Sequence, residues 1–112
     1  MMKHDARRAA VAAYKERKVI AGIYAVRCVP TGECWVGRAP DLGTIQNRLW
    51  FGLKLGSNPH RGLQAAWHAH GADQFTFEEL ERLADEELPY VREATLKRRL
   101  AHWREMLNAV VI

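Results

Sequence analysis

Few side chains in this chain have the type and spacing to do chemistry. Five histidines, His4, His60, His68, His70 and His102, offer metal ligands. His68 and His70 lie two apart on a predicted helix, so they point to different sides. No His-Glu pattern of the metalloprotease kind occurs. Cys28 and Cys34 alone cannot build a structural zinc site, and a cysteine nucleophile needs a placed base that the sequence does not supply. No glycine-rich phosphate loop is present. Lys97, Arg98, Arg99 and Arg104 give a C-terminal helix a basic side, which either faces solvent or holds a nucleic-acid backbone. The most informative stretch is "AGIYAVRCVPTGECWVGRAP", residues 21–40, where Gly22-Ile23-Tyr24 and Trp35-Val36-Gly37 flank a polar turn.

The elements that must position these groups follow from periodicity. Residues 21–28 and 34–38 read as strands joined by "VPTGEC", in which Pro30 and Gly32 set the turn. Strand alternation puts Tyr24 and Trp35 on one face, with Cys28 beside Tyr24 and Cys34 on the other, so no disulfide joins them. Leu42, Ile45, Leu49 and Leu53 recur at helical spacing between a capping Asp41 and a terminating Gly56. "SNPHRGLQAAWHAHG" breaks at Asn-Pro, continues as a helix with Leu63, Ala66 and Trp67 on one face, and stops at Gly71. "QFTFEEL" alternates as a third strand. Residues 87–109 read as a long helix with a stripe of Leu96, Leu100, Trp103, Leu107 and Val110, and residues 5–18 as an alanine-rich one. The order is αββααβα, a small three-stranded antiparallel sheet flanked by helices, of α+β class. We expect one domain over 1–112 with its core in 21–109. The 48% hydrophobic content suffices for a core, and the net charge of +4 suits an acidic partner such as nucleic acid. No segment is of membrane-spanning or signal-peptide type, so a cytoplasmic protein without a membrane partner is expected.

Gly-Ile-Tyr, ten residues, then aromatic-Val-Gly, followed by a helix and "LQAAW...HG...F.FEELE", resembles the GIY-YIG nuclease superfamily. The resemblance covers residues 21–82 well and 88–109 loosely. It rests on the two motifs together with Ala39, Asp41-Leu42, Gly56, Leu63-Gln64, Trp67, Gly71 and Phe75. It implies a GIY-YIG-like fold and hydrolysis of a DNA phosphodiester. In that family a tyrosine hydroxyl deprotonates or positions the attacking water, and a basic side chain steadies the phosphate charge. A glutamate holds one divalent cation, Mg2+ or Mn2+.

Carried over residue by residue, Tyr24 matches the first family tyrosine, and Gly37 lets the chain or a phosphate approach closely. Trp35 stands at the second tyrosine; indole donates a hydrogen bond and stacks, but cannot serve as a base. The family arginine aligns with Ile45, an apolar-stripe position. The resemblance therefore points to Arg48, one turn on, and to Arg38 at the rim of the Tyr24 pocket. Asn58 and His60, in the loop before Leu63-Gln64, are candidates for phosphate contact or for capping. Arg98 and Arg99 are candidates for holding the nucleic-acid backbone. The family glutamate aligns with Leu100, which cannot bind a cation, and no metal ligand is identified in its place. Two readings follow: a DNA endonuclease with a partly degenerate active site, or a catalytically inactive GIY-YIG module that binds nucleic acid or protein. Intact Tyr24 and the arginines favour the first; Leu100 and Trp35 favour the second.

Overall fold

The computed structural model describes residues 19–84 and 88–112. The expected helix over 5–18 lies outside these residues. Strand β1 (Gly22–Cys28) runs antiparallel to both β2 (Cys34–Ala39) and β3 (Phe75–Arg82). The hairpin between β1 and β2 closes through Cys28 N–H to the Glu33 carbonyl at 2.9 Å, with Gly32 at φ 74°. A fourth strand, β4 (Val110–Val111), pairs parallel to β2 and completes a sheet of order β3-β1-β2-β4. The fold is α+β as expected, but the sheet has four strands and is mixed.

Period-two alternation divides β1 between two cores. Tyr24, Val26 and Cys28 share one face with Trp35, Ala39 and Phe75. Helices α1 (Leu42–Leu55) and α2 (Arg61–His70) cover that face through Leu42, Leu53, Leu63 and Trp67. Ile23, Ala25 and Val36 point the other way, under Leu96 and Leu100 of α3 (Pro89–Leu107). The sheet is thus the middle of three layers, as expected of a sheet buried on both faces. Cys28 is buried, Cys34 half-buried on the other face, and both are free thiols.

The caps follow from residue type. Asp41 starts α1 by accepting from Gly43 N–H at 2.9 Å. Gly56 ends it at φ 73°, with Ser57 N–H returning to the Gly52 carbonyl at 2.9 Å, a left-handed cap that glycine adopts without strain. The long C-terminal helix stops at Leu107, not 109, because Asn108 takes the left-handed conformation at φ 48°. Ala109 N–H then bonds the Arg104 carbonyl at 3.0 Å, and the chain leaves the helix axis to form β4. Val110 therefore belongs to a strand and is 52% exposed, rather than extending the apolar stripe.

Pairing between β1 and β3 contains a bulge: Tyr24 faces Glu79 and Ile23 faces Glu81, leaving Leu80 as the extra residue. Both Leu80 and Glu81 then lie toward α3. Glu81 accepts from Arg99 Nε at 2.8 and 2.9 Å and from Trp103 Nε1 at 2.8 Å, which fastens α3 to the sheet. Burial pushes the Glu81 carboxyl up. The hydrogen bonds from Trp103 and Arg99, with the charges of Arg99 and His102, outweigh burial and hold it below the usual carboxylate range. A depressed carboxyl stabilises the fold above its unfolded value, and that contribution is lost as pH falls through the folded value. Glu81→Gln is therefore expected to flatten the acid limb of a stability-against-pH curve and to cost about 1–3 kcal/mol at neutral pH. Urea titrations of both proteins across the acid range measure it; parallel curves would deny the carboxylate this role.

Candidate functional site

The Tyr24 phenol is positioned by the strand below it and the rings beside it. It stacks on Phe77 with centroids 5.4 Å apart, and Trp50 of α1 meets Phe77 edge-on at 6.0 Å. Across the β1–β2 pair its partner is Gly37, and the phenol lies directly over that residue. A methyl group at 37 would collide with the Tyr24 hydroxyl and lie 2.5 Å from Cζ. The glycine thus creates the space in which the phenol lies; the group that comes close is the Tyr24 ring, and Gly37 itself does not line the cleft described below.

Tyr24 is 5% exposed, and what remains accessible opens into a cleft of about 360 Å3. Arg48, Asn58 and His60 line the same cleft, with Ile45, Leu49 and Ser57. The structure therefore brings together four residues proposed from sequence: Tyr24, Arg48, Asn58 and His60. Ile45, at the arginine position of the resemblance, is a half-buried wall residue packed against the core. Burial raises the Tyr24 pKa above the usual phenol value, so the O–H stays protonated at neutral pH.

The Asn58–His60 loop is rigidly built. Asn58 Oδ1 accepts from His60 N–H at 2.8 Å, and its own N–H donates to Gln64 Oε1 at 3.1 Å. Gln64 Nε2 donates in turn to the Leu53 carbonyl at 3.0 Å, tying α2 to the end of α1. His60 caps α2, its Nδ1 accepting from Leu63 N–H at 3.1 Å, which leaves the proton on Nε2. Asn58 and His60 therefore cap and line the cleft at once.

Other candidates lie elsewhere. Trp35 does share Tyr24's face, but it is 2% exposed and packs against Phe75 at 6.1 Å. It is a core residue with no surface for stacking a base. Arg38 is not at the rim of the Tyr24 pocket. With Gly37 on the Tyr24 face, alternation sends Arg38 to the other, where Nη1 lies 2.6 Å from Glu93 Oε1 of α3. Arg98 and Arg99 are on α3, across the sheet from Tyr24, and Arg99 is occupied by Glu81. Leu100 is half-buried on that same far side. Sequence reading missed Ser57 and Ile112 as cleft residues. Ile112 arrives there only because β4 pairs with β2, its N–H bonding the Val36 carbonyl at 2.9 Å.

A divalent cation of the magnesium type requires oxygen ligands, carboxylates first. The cleft lining contains no Asp or Glu. Glu79 shares Tyr24's face, but its carboxylate pairs with Arg82 Nε at 3.0 Å. No group of three or more His, Cys, Asp or Glu among the described residues is placed to hold a metal. The donor set of the cleft does not fit a resident divalent cation. No helix among the described residues is long and apolar enough to cross a membrane.

No protein-family model matches the chain, and no curated protein sequence matches it significantly. Solved structures do. The chain is similar to the catalytic domain of the intron endonuclease I-TevI in a single-substitution mutant, at 25% identity and TM-score 0.67, over 80% of this chain and 84% of that one. It is similar also to the catalytic domain of the homing endonuclease I-TevI at 24% identity and TM-score 0.69, over 82% of this chain and 97% of that one.

Proposed function

We propose that this chain, a GIY-YIG nuclease-like domain by its fold, engages DNA at the Tyr24 cleft as an endonuclease with a partly degenerate active site. The observation that carries this reading is the convergence of Tyr24, Arg48 and the Asn58–His60 loop on one cleft whose lining contains no Asp or Glu. Arg48 supplies the positive charge that a phosphodiester requires. The protonated phenol donates to a phosphate oxygen or orients a water beside it. Ser57 and Asn58 add neutral polar groups at the wall.

A second reading, a module that binds nucleic acid or protein without cutting it, is favoured by one observation: no Asp or Glu side chain lines the cleft. Cleavage assays separate the two. Purified protein is incubated with single-stranded, duplex and branched DNA in magnesium or manganese, with Tyr24→Phe as control. We expect binding with cutting that is weak in magnesium, and a further loss of about a hundredfold in the control. Binding with no cutting on any substrate would select the second reading. Robust cutting abolished by Tyr24→Phe would show that the active site is not degenerate.

A further inference from the structure

Resting on the reading that the cleft engages DNA, we infer that Phe51 stacks on an unpaired base beside it, so that the substrate class is single-stranded or locally unpaired DNA. Thr44, Arg48, Phe51 and Leu55 recur at helical spacing on the side of α1 opposite buried Leu42 and Leu53, and all four are exposed. Phe51 and Leu55 are each 65% exposed. The ring before Phe51, Trp50, meets both Trp67 and Phe77 edge-on. The Phe51 ring meets no other aromatic ring among the described residues.

Phe51 stands beside the cleft, not in it. The next residue, Gly52, lines the cleft, and so does Arg48, one turn earlier on the exposed stripe. Residues three apart on a helix are surface neighbours, so Arg48 and Lys54 bracket the ring. Both are exposed, and neither has an ion-pair partner among the described residues. All 13 acidic residues of the chain lie outside residues 42–72, the stretch that builds α1, α2 and the loop between them.

That setting selects the occupant. The centre of a protein interface is depleted of charge, whereas this ring is flanked by two unpaired cations. An aromatic face among cations is the composition of a single-strand track, in which the cations follow the backbone and the ring takes a base. Phenylalanine has no donor or acceptor with which to read base edges in a groove, so a π-face is all it offers. Inside a duplex both faces of each base are covered by its neighbours; an unpaired base has a face to give. The caps at Asp41 and Gly56 and the buried leucines hold α1 in place, so the ring is presented without a backbone ordering cost.

The test is binding rather than cutting. Fluorescence anisotropy at matched ionic strength compares a labelled single strand, a blunt duplex of the same sequence, and single strands carrying one abasic residue at successive positions. The wild type should prefer the single strand. Phe51→Ala should weaken that binding about tenfold, leaving its salt slope and the duplex affinity unchanged. Phe51→Trp should keep the affinity, and Phe51→Leu, apolar but without a π-face, should not. One abasic position should weaken the wild type about as much and add nothing to Phe51→Ala. Tyr24→Phe, inside the cleft, should weaken strand and duplex alike, about threefold. Unchanged binding in Phe51→Ala, an equal loss on duplex, or full rescue by Phe51→Leu would overturn this inference while leaving DNA engagement standing. A smaller sedimenting mass for Phe51→Ala than for wild type would assign the ridge to a second copy of the chain and overturn it as well. Absence of wild-type binding to every DNA would instead overturn the DNA reading itself, and this inference with it.

Discussion

Gly22→Ala is expected to be the most destabilising small substitution in the sheet, at about 3 kcal/mol or more. Gly22 sits between Ala39 of β2 and Arg82 of β3, beneath the start of α1. A Cβ placed there would run into the backbone carbonyl of Glu81 and lie 2.5 Å from Leu42 Cδ1. Leu42 is 5% exposed and anchored, its N–H bonding the Ile20 carbonyl at 2.8 Å. Neither obstacle is the free end of a flexible chain, so the strands must separate or α1 must lift. Urea unfolding should show a much lower midpoint. An unchanged midpoint would mean that β1 and β3 are not held at this spacing beside the bulge.

Gly37→Ala is expected to disable the cleft and to cost about 1–3 kcal/mol of stability. The added methyl would meet Tyr24 at Cζ and the hydroxyl. The ring cannot retreat toward β3, because Phe77 already stacks there at 5.4 Å. Displacing the phenol should lower oligonucleotide affinity at least as far as Tyr24→Phe does. A double-mutant cycle with Tyr24→Ala isolates the contact. Gly37→Ala should be nearly silent once the ring is gone, giving a coupling of about 0.5–3 kcal/mol. Additive effects would show that the methyl acts elsewhere.

Local signals in the sequence were accurate where the structure itself is local. Asp41 and Gly56 bound α1 as composition predicts, and alternation through the hairpin separated Cys28 from Cys34 correctly. The same alternation was available for Arg38: a residue next to Gly37 cannot share its face, and the resemblance prevailed over that rule. Trp35 was placed on the right face but in the wrong environment, because alternation gives direction and not depth. Arg98 and Arg99 depended on which side of the sheet α3 covers, a question no local pattern answers. β4 is two residues long, too short for any periodicity, and its pairing depends on the turn at Asn108. Half of the cleft was legible because Tyr24, Arg48, Asn58 and His60 lie within a continuous hairpin–helix–loop segment. The missing wall at Ile112 comes from the far end of the described chain.

The β3 bulge also sets the electrostatics of the two sheet faces. Unbroken alternation from Phe75 would have put Phe77, Glu79 and Glu81 on the side that carries Tyr24. The extra residue at Leu80 instead turns Glu81 toward Arg99 and returns Arg82 to the Tyr24 side, within 3.0 Å of Glu79. One inserted position thus replaces an anion with a cation on that surface and neutralises the acid that remains. A strand whose sequence reads as acidic, "FTFEELER", is thereby made compatible with a polyanion lying across the same side of the sheet. Because Leu80 is the extra residue, deleting it would leave Glu81 opposite Ile23 and Arg82 opposite Gly22, so the faces of these two charges are fixed by their pairing with β1.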